Sequence, residues 1–204
     1  MNYIGIDIGS TCAKTVVLNE KKELILEFVQ PTGWSSVDTA EEIRQKLEFA
    51  GINLSNESSH CVATGYGRIS VPYADKTVTE ITCHALGAVH LFQHPDLTVI
   101  DIGGQDTKII QIEQGFVKDF IMNDKCAAGT GRFLEVMANT LSLRPNEMFD
   151  LARLGSDTTI SSMCTVFAES EVIGLIGKGE PKENIAYAVV NSTIRKVAAQ
   201  VSRM

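Results

Sequence analysis

Four residues of this chain stand in settings where chemistry is possible: Cys126, Cys164, Asp7 and Asp101. Cys126 belongs to Asn123-Asp124-Lys125-Cys126-Ala127-Ala128-Gly129-Thr130-Gly131, a stretch of small residues just ahead of an apolar run with helical spacing. Cys164 follows 38 positions later in Ser161-Ser162-Met163-Cys164-Thr165, again ahead of a helical pattern. Thiols so placed serve metal or redox chemistry, or they are plain core residues. Asp7 opens Asp7-Ile8-Gly9-Ser10-Thr11-Cys12-Ala13-Lys14, and Asp101 opens Asp101-Ile102-Gly103-Gly104-Gln105-Asp106-Thr107-Lys108, at a constant offset of 94. An acid at a strand end, a glycine turn and a lysine soon after it suit a polyphosphate and its cation. The glycines admit phosphate oxygens to backbone N–H groups, the carboxylate holds Mg2+ directly or through water, and Thr11 can donate to phosphate. One copy alone would more often be a tight turn. Two matched copies predict two duplicated lobes facing each other across a nucleotide cleft.

The elements that must carry these residues follow from the pattern. Residues 3–8, 14–20 and 23–30 read as strands joined by polar turns, an antiparallel meander. A helix is expected through Ala40, Ile43, Leu47 and Ala50, capped by Ser36 or Asp38 and closed at Gly51. His60 to Thr64 reads as a buried strand ending in the turn Gly65-Tyr66-Gly67-Arg68, and Glu80 to Phe92 as a second helix. From Leu97 the meander starts again, over 97–102, 106–112 and 116–122. Helices are then expected over about 130–141, 145–154, 165–178 and 181–202. The chain is therefore predicted to be an α/β protein of two duplicated lobes, 1–95 and 96–204.

Composition narrows the classes. The chain has 204 residues, 44% of them hydrophobic, enough for a sizeable core. With 18 basic and 25 acidic side chains its net charge is -7, and no basic cluster offers a nucleic-acid surface. No apolar run reaches the roughly 18 residues of a membrane span, and no signal peptide is apparent. A cytoplasmic protein without nucleic-acid or membrane partners is the expectation. Five cysteines at irregular spacing argue against a disulfide framework. Cys12, Cys61 and Cys83 lie in or beside apolar segments and read as core residues. The pairs His60-Cys61 and Cys83-His84 lack zinc-ligand spacing.

Taken together, these motifs resemble the actin, Hsp70 and sugar kinase superfamily of ATPases. Within it they most resemble the BadF/BadG/BcrA/BcrD-type activators (component A) of 2-hydroxyacyl-CoA dehydratases and the related ATPase subunits of benzoyl-CoA reductases. The residues carrying this are Asp7 to Lys14, Thr64 to Arg68, Glu80 to Ala85, Asp101 to Lys108, Asn123 to Phe133, and Cys164 with Phe167 to Val172. The resemblance implies that Cys126 and Cys164 ligate a 4Fe-4S cluster shared between the two subunits of a homodimer. The arithmetic agrees, since a cubane needs four thiolates and helix starts favour anionic sulfur. It further implies ribonuclease H-like, actin-like lobes, the second incomplete at its C-terminus, so that Ile185, Ala188, Val189, Ile194 and Val197 are expected to be exposed or paired with another chain. It also implies ATP-driven one-electron transfer from ferredoxin or flavodoxin to a dehydratase. Asp7 and Asp101 are assigned to Mg2+ and water, and Gln105 to orienting water. Thr11 and Lys14 are assigned to phosphate, with Gly9, Ser10, Gly103, Gly104, Asp106, Lys108 and Gly129 on the same ATP/ADP site. Glu169 is a further candidate there, though an acid in a helix's first turn, like Glu171, is common for other reasons. The alternatives are a small-molecule kinase of the same fold, a benzoyl-CoA reductase-type ATPase subunit, and a non-catalytic actin-like nucleotide-binding protein.

Overall fold

The architecture is that of a computed structural model, which describes residues 1–54, 58–161 and 164–204. Ser162 and Met163 of the second cysteine motif lie outside the described residues. The chain divides into two compact units, Met1–Gln93 and His94–Met204.

The first unit opens with the expected meander: β1 (Asn2–Ile8), β2 (Cys12–Leu18) and β3 (Leu24–Pro31). Helix α1 (Ser36–Phe49) follows, then β4 (Ser59–Thr64), a one-turn 3-10 helix at Arg68–Ser70, β5 (Lys76–Thr77) and α2 (Glu80–Phe92). The sheet order is β3-β2-β1-β4-β5, with β4 parallel to β1. Alternation sends Ile4, Ile6 and Ile8 to one face, where they pack with Ala40, Ile43 and Leu47 of α1. Asp7 therefore points to the other face. The helix cap is Ser35, one residue before the expected Ser36, because its hydroxyl is the one that accepts from Asp38 N.

In the second unit β6 (Leu97–Ile102), β7 (Thr107–Glu113) and β8 (Phe116–Asn123) form an antiparallel sheet in that order. Four helices follow: α3 (Gly131–Thr140), α4 (Pro145–Ala152), α5 (Thr165–Gly177) and α6 (Lys182–Val201). Phe133 and Met137 of α3, Met148 of α4, Ala168 and Val172 of α5, and Ile185 and Val189 of α6 make one core. The expectation for α6 is corrected here. Ile185, Ala188, Val189 and Val197 are buried, and of the five only Ile194 is exposed. The helices α3, α4 and α5 of the same unit pack against α6, so the apolar stripe needs no other chain.

Candidate functional site: two phosphate-type turns and a cysteine loop

The two Asp-Gly turns close in the same way. Gly9 N donates to the Cys12 carbonyl (3.1 Å), and Gly103 N donates to the Asp106 carbonyl (2.9 Å), the same pair at the same offset. The carbonyl of the first glycine is then taken from outside each turn. Thr32 Oγ1 donates to Gly9 O (2.7 Å) in the first unit, and Gly131 N donates to Gly103 O (2.9 Å) in the second. Among the described residues, the N–H groups of Ser10, Thr11, Gly104 and Gln105 meet no protein acceptor. Such consecutive N–H groups on a turn form an anion-binding concavity. Gln105 and Thr11 are exposed at the turn tips.

Register places the acid and the lysine side by side. Asp7 pairs with Lys14 across β1 and β2, and Asp101 with Lys108 across β6 and β7. Lys14 Nζ lies 3.0 Å from Asp7 Oδ2 with its side chain 45% exposed. Burial alone would lower its pKa, but the Asp7 charge and hydrogen bond, helped by Cys12, hold it above the usual lysine value. Lys108 has the same spacing and a different environment. Its side chain is 3% exposed and its Nζ sits 2.8 Å from Asp106 Oδ1 and 3.3 Å from Asp101 Oδ2. Asp106 folds back beneath its own turn, where a Cβ on Gly103 would approach Asp106 Oδ1 to 2.5 Å. Lys108 and Asp106 thus lie under the turn while Lys14 lies beside its own.

Asp7 Oδ1 is buried with no hydrogen-bond partner among the described residues. It abuts Gly65, whose φ of +86° suits glycine and whose Cβ would lie 2.4 Å from that oxygen. Thr64, opposite Asp7 in the parallel pairing with β4, also leaves a buried hydroxyl unpartnered. An orphaned carboxylate oxygen beside an orphaned hydroxyl fits a hydrated divalent cation. Thr64 was absent from the sequence-derived site, because its place next to Asp7 comes from a strand pairing across more than fifty positions. The only local signal was the Thr-Gly-x-Gly turn.

Cys126 lies in the loop between β8 and α3, half-buried, and Cys164 is the exposed N-cap residue of α5. Only Cys164 is therefore at a helix start. For Cys126 the expectation fails, because α3 begins at Gly131 after an N-cap at Thr130. The loop is fastened to the sheet: Asn123 Nδ2 donates to Cys126 O (2.8 Å) and Thr107 Oγ1 to Gly129 O (2.6 Å). Gly129 has φ +88° and packs on Lys196, which lines a cavity of about 320 Å³ with Phe133, Ile160, Ser161, Ser192 and Arg195. Sequence periodicity read α6 only for its apolar stripe and missed the cations beside it. Glu169 accepts from Thr140 Oγ1 (3.3 Å), and Glu171 accepts from the Ser161 N–H and hydroxyl.

All five cysteines are free thiols. Cys61 is a core residue, and burial, with Asp75 adding to it, pushes its thiol up to about 12. Cys12 and Cys83 are only partly buried, which departs from the core reading. Cys12 occupies the position that Asp106 has in the second turn, beside the lysine. Among the described residues no three His, Cys, Asp or Glu side chains gather as a metal site, and no helix is long and apolar enough to cross a membrane.

Comparison with known proteins adds three likenesses. The profile of the BadF/BadG/BcrA/BcrD ATPase family matches residues 4–204. The (R)-2-hydroxyglutaryl-CoA dehydratase activating ATPase of Acidaminococcus fermentans is 44% identical over 98% of this chain and 77% of its own length. The crystal structure of the Acidaminococcus fermentans (R)-2-hydroxyglutaryl-CoA dehydratase component A superposes with a TM-score of 0.90 at 42% identity, over 100% of this chain and 79% of that one. The activator of the 2-hydroxyisocaproyl-CoA dehydratase from Clostridium difficile, solved with bound ADPNP, gives a TM-score of 0.88 at 36% identity, covering 100% of this chain and 76% of that one. The fold is the mixed α/β fold of the actin-like ATPases.

Proposed function

Because the chain belongs to the BadF/BadG/BcrA/BcrD ATPase family, we propose that it is an ATP-hydrolysing activator of a 2-hydroxyacyl-CoA dehydratase. The observation that carries this reading is the repeated turn, closed by the same hydrogen bond in both units and presenting N–H groups with no protein acceptor among the described residues. Ser10, Thr11 and Lys14 bind phosphate from the first turn, with Gly9 allowing the close approach. Gly103, Gly104 and Gln105 act from the second, where Gln105 orients the attacking water. Asp7 and Asp101 are the residues that would hold Mg2+, which would supply positive charge to offset that of the transferred phosphoryl group. The cavity beside Gly129, with apolar walls and the cations Arg195 and Lys196, suits the nucleoside end of ATP or ADP.

Cys126 and Cys164 are the thiols this chain offers to an iron-sulfur centre. Both are free, they lie on one unit, and at least two further ligands must come from elsewhere. A second copy is the proposed source. Val166, Phe167, Ile173 and Ile176 of α5, the helix that Cys164 caps, are exposed and apolar, which supports a homodimer. A 4Fe-4S centre held this way would take up and release one electron, from a ferredoxin or flavodoxin to the dehydratase. Gly131 N and Arg132 N hydrogen-bond to Gly103 O and Gly104 O, so the start of α3 follows the second turn and its nucleotide state.

Replacing Asp101 with Asn keeps the shape of the turn and removes its charge. ATP turnover of the Asp101→Asn protein should fall at least about a hundredfold, while iron content stays at the wild-type level. Retained turnover would remove Asp101 from the mechanism, and lost iron would mean that the residue supports the cysteine region instead.

A further inference from the structure

Thr107 and Asn123 face each other as the last register pair of β7 and β8. Both side chains turn toward the loop that follows β8 and donate to its carbonyls. Thr107 Oγ1 reaches Gly129 O at 2.6 Å from a fully buried position. Asn123 Nδ2 reaches Cys126 O at 2.8 Å and Ala128 O at 3.4 Å. Thr107 also directly follows Asp106, the residue whose carbonyl closes the second turn. At its other end the loop returns to that turn, where Gly131 N and Arg132 N donate to Gly103 O and Gly104 O, each at 2.9 Å. The loop's own Thr130 hydroxyl and N–H bond back to Ala127 O, so the segment between the two fastenings is internally tied.

We propose that Thr107 and Asn123 are positioning residues that couple the second turn to Cys126, passing a displacement of Gly103–Asp106 to the backbone of residues 126–129. The inference rests on the proposed nucleotide site, and it assigns the transmission to these two side chains. Helix α3 cannot carry it alone, because its hydrogen bonds to the turn begin at Gly131, five residues beyond Cys126. Without the side-chain fastenings, the ties of the loop 126–129 to the turn among the described residues run through β8 on one side and the flexible backbone at Gly129 and Gly131 on the other. With them, it is held at both ends by groups that move with the turn. Neither side chain is assigned to the nucleotide, but Thr107 holds Gly129 of the proposed nucleoside cavity, so ADP affinity is measured beside the loop response in each variant.

Backbone hydrogen exchange reads both parts at once and does so with or without a bound cluster. In the wild type, exchange over Gly103–Asp106 and over 126–129 should each differ by at least about fivefold between the ADP and ADPNP states. In Thr107→Val, which keeps shape and packing, the turn should still respond while the loop does not. Asn123→Ala should behave alike, and Thr107→Ser, which restores the hydroxyl, should recover the loop response. If the loop responds equally in Thr107→Val and Asn123→Ala, the coupling assignment is overturned while the nucleotide reading stands. A wild-type turn that ignores both nucleotides would overturn the nucleotide reading and this inference with it. Raised exchange across the α3–α6 core of Thr107→Val, with Thr107→Ser unaffected in coupling and core alike, would make the hydroxyl a stability group and overturn the proposal.

Discussion

Lys14 and Lys108 stand at one position of a repeated motif, and their neighbours give them different work. Lys14 shares an exposed pair with Asp7, whereas Lys108 is enclosed by two carboxylates at 3% exposure. The motif alone predicted the same phosphate role for both. What decides between them is the residue two places earlier, Cys12 in one turn and Asp106 in the other, and the burial that no local pattern reveals. Lys108→Met leaves two carboxylates without their cation and should cost about 3 kcal/mol or more. Lys14→Met should cost less than about 1 kcal/mol in stability. It should instead weaken ADP binding about tenfold, the worth of one hydrogen bond to a charged group. Thermal unfolding and calorimetric titration of the two variants measure both quantities, and equal destabilisation would erase the distinction.

At the scale of elements, periodicity found seven of the eight strands and all six α-helices among the described residues, because each buries one face against its own unit, and it missed only the two-residue β5. Non-local consequences stayed hidden. The parallel pairing of β4 with β1, which brings Thr64 and Gly65 to Asp7, spans a helix and a loop and leaves no spacing to count. The burial of α6 was misjudged because its covering helices lie in the same unit, and Cys126 was placed at a helix start because the loop's hydrogen bonds to Asn123 and Thr107 cannot be read from composition. Gly65 tests this level directly. Its φ of +86° and the 2.4 Å approaches a Cβ would make to Asp7 Oδ1 and Ile8 O leave no room for alanine. Gly65→Ala should destabilise the protein by about 2 kcal/mol, seen as a fall in Tm of roughly 4–8 °C. A Tm within experimental error of wild type would mean that β1 and the turn are not held against each other as described.

At the scale of the whole molecule, the proposed function joins a family ATPase to an electron carrier. The ATPase half is visible twice in the chain, in two turns with one hydrogen-bond plan. The proposed carrier half would rest on Cys126 and Cys164 and on the exposed apolar side chains of α5, and would need a second copy to supply the remaining thiolates. That requirement fixes a stoichiometry. The most direct measurement is anaerobic iron and sulfide analysis, joined to solution mass, of the wild type, Cys126→Ser and Cys164→Ser. The expected result is a brown dimer with about four irons and four sulfides per two chains, and loss of the iron in both serine variants. A wild type purified without oxygen that carries no iron, or serine variants that keep it, would contradict the claim that these two cysteines make this ATPase an electron donor.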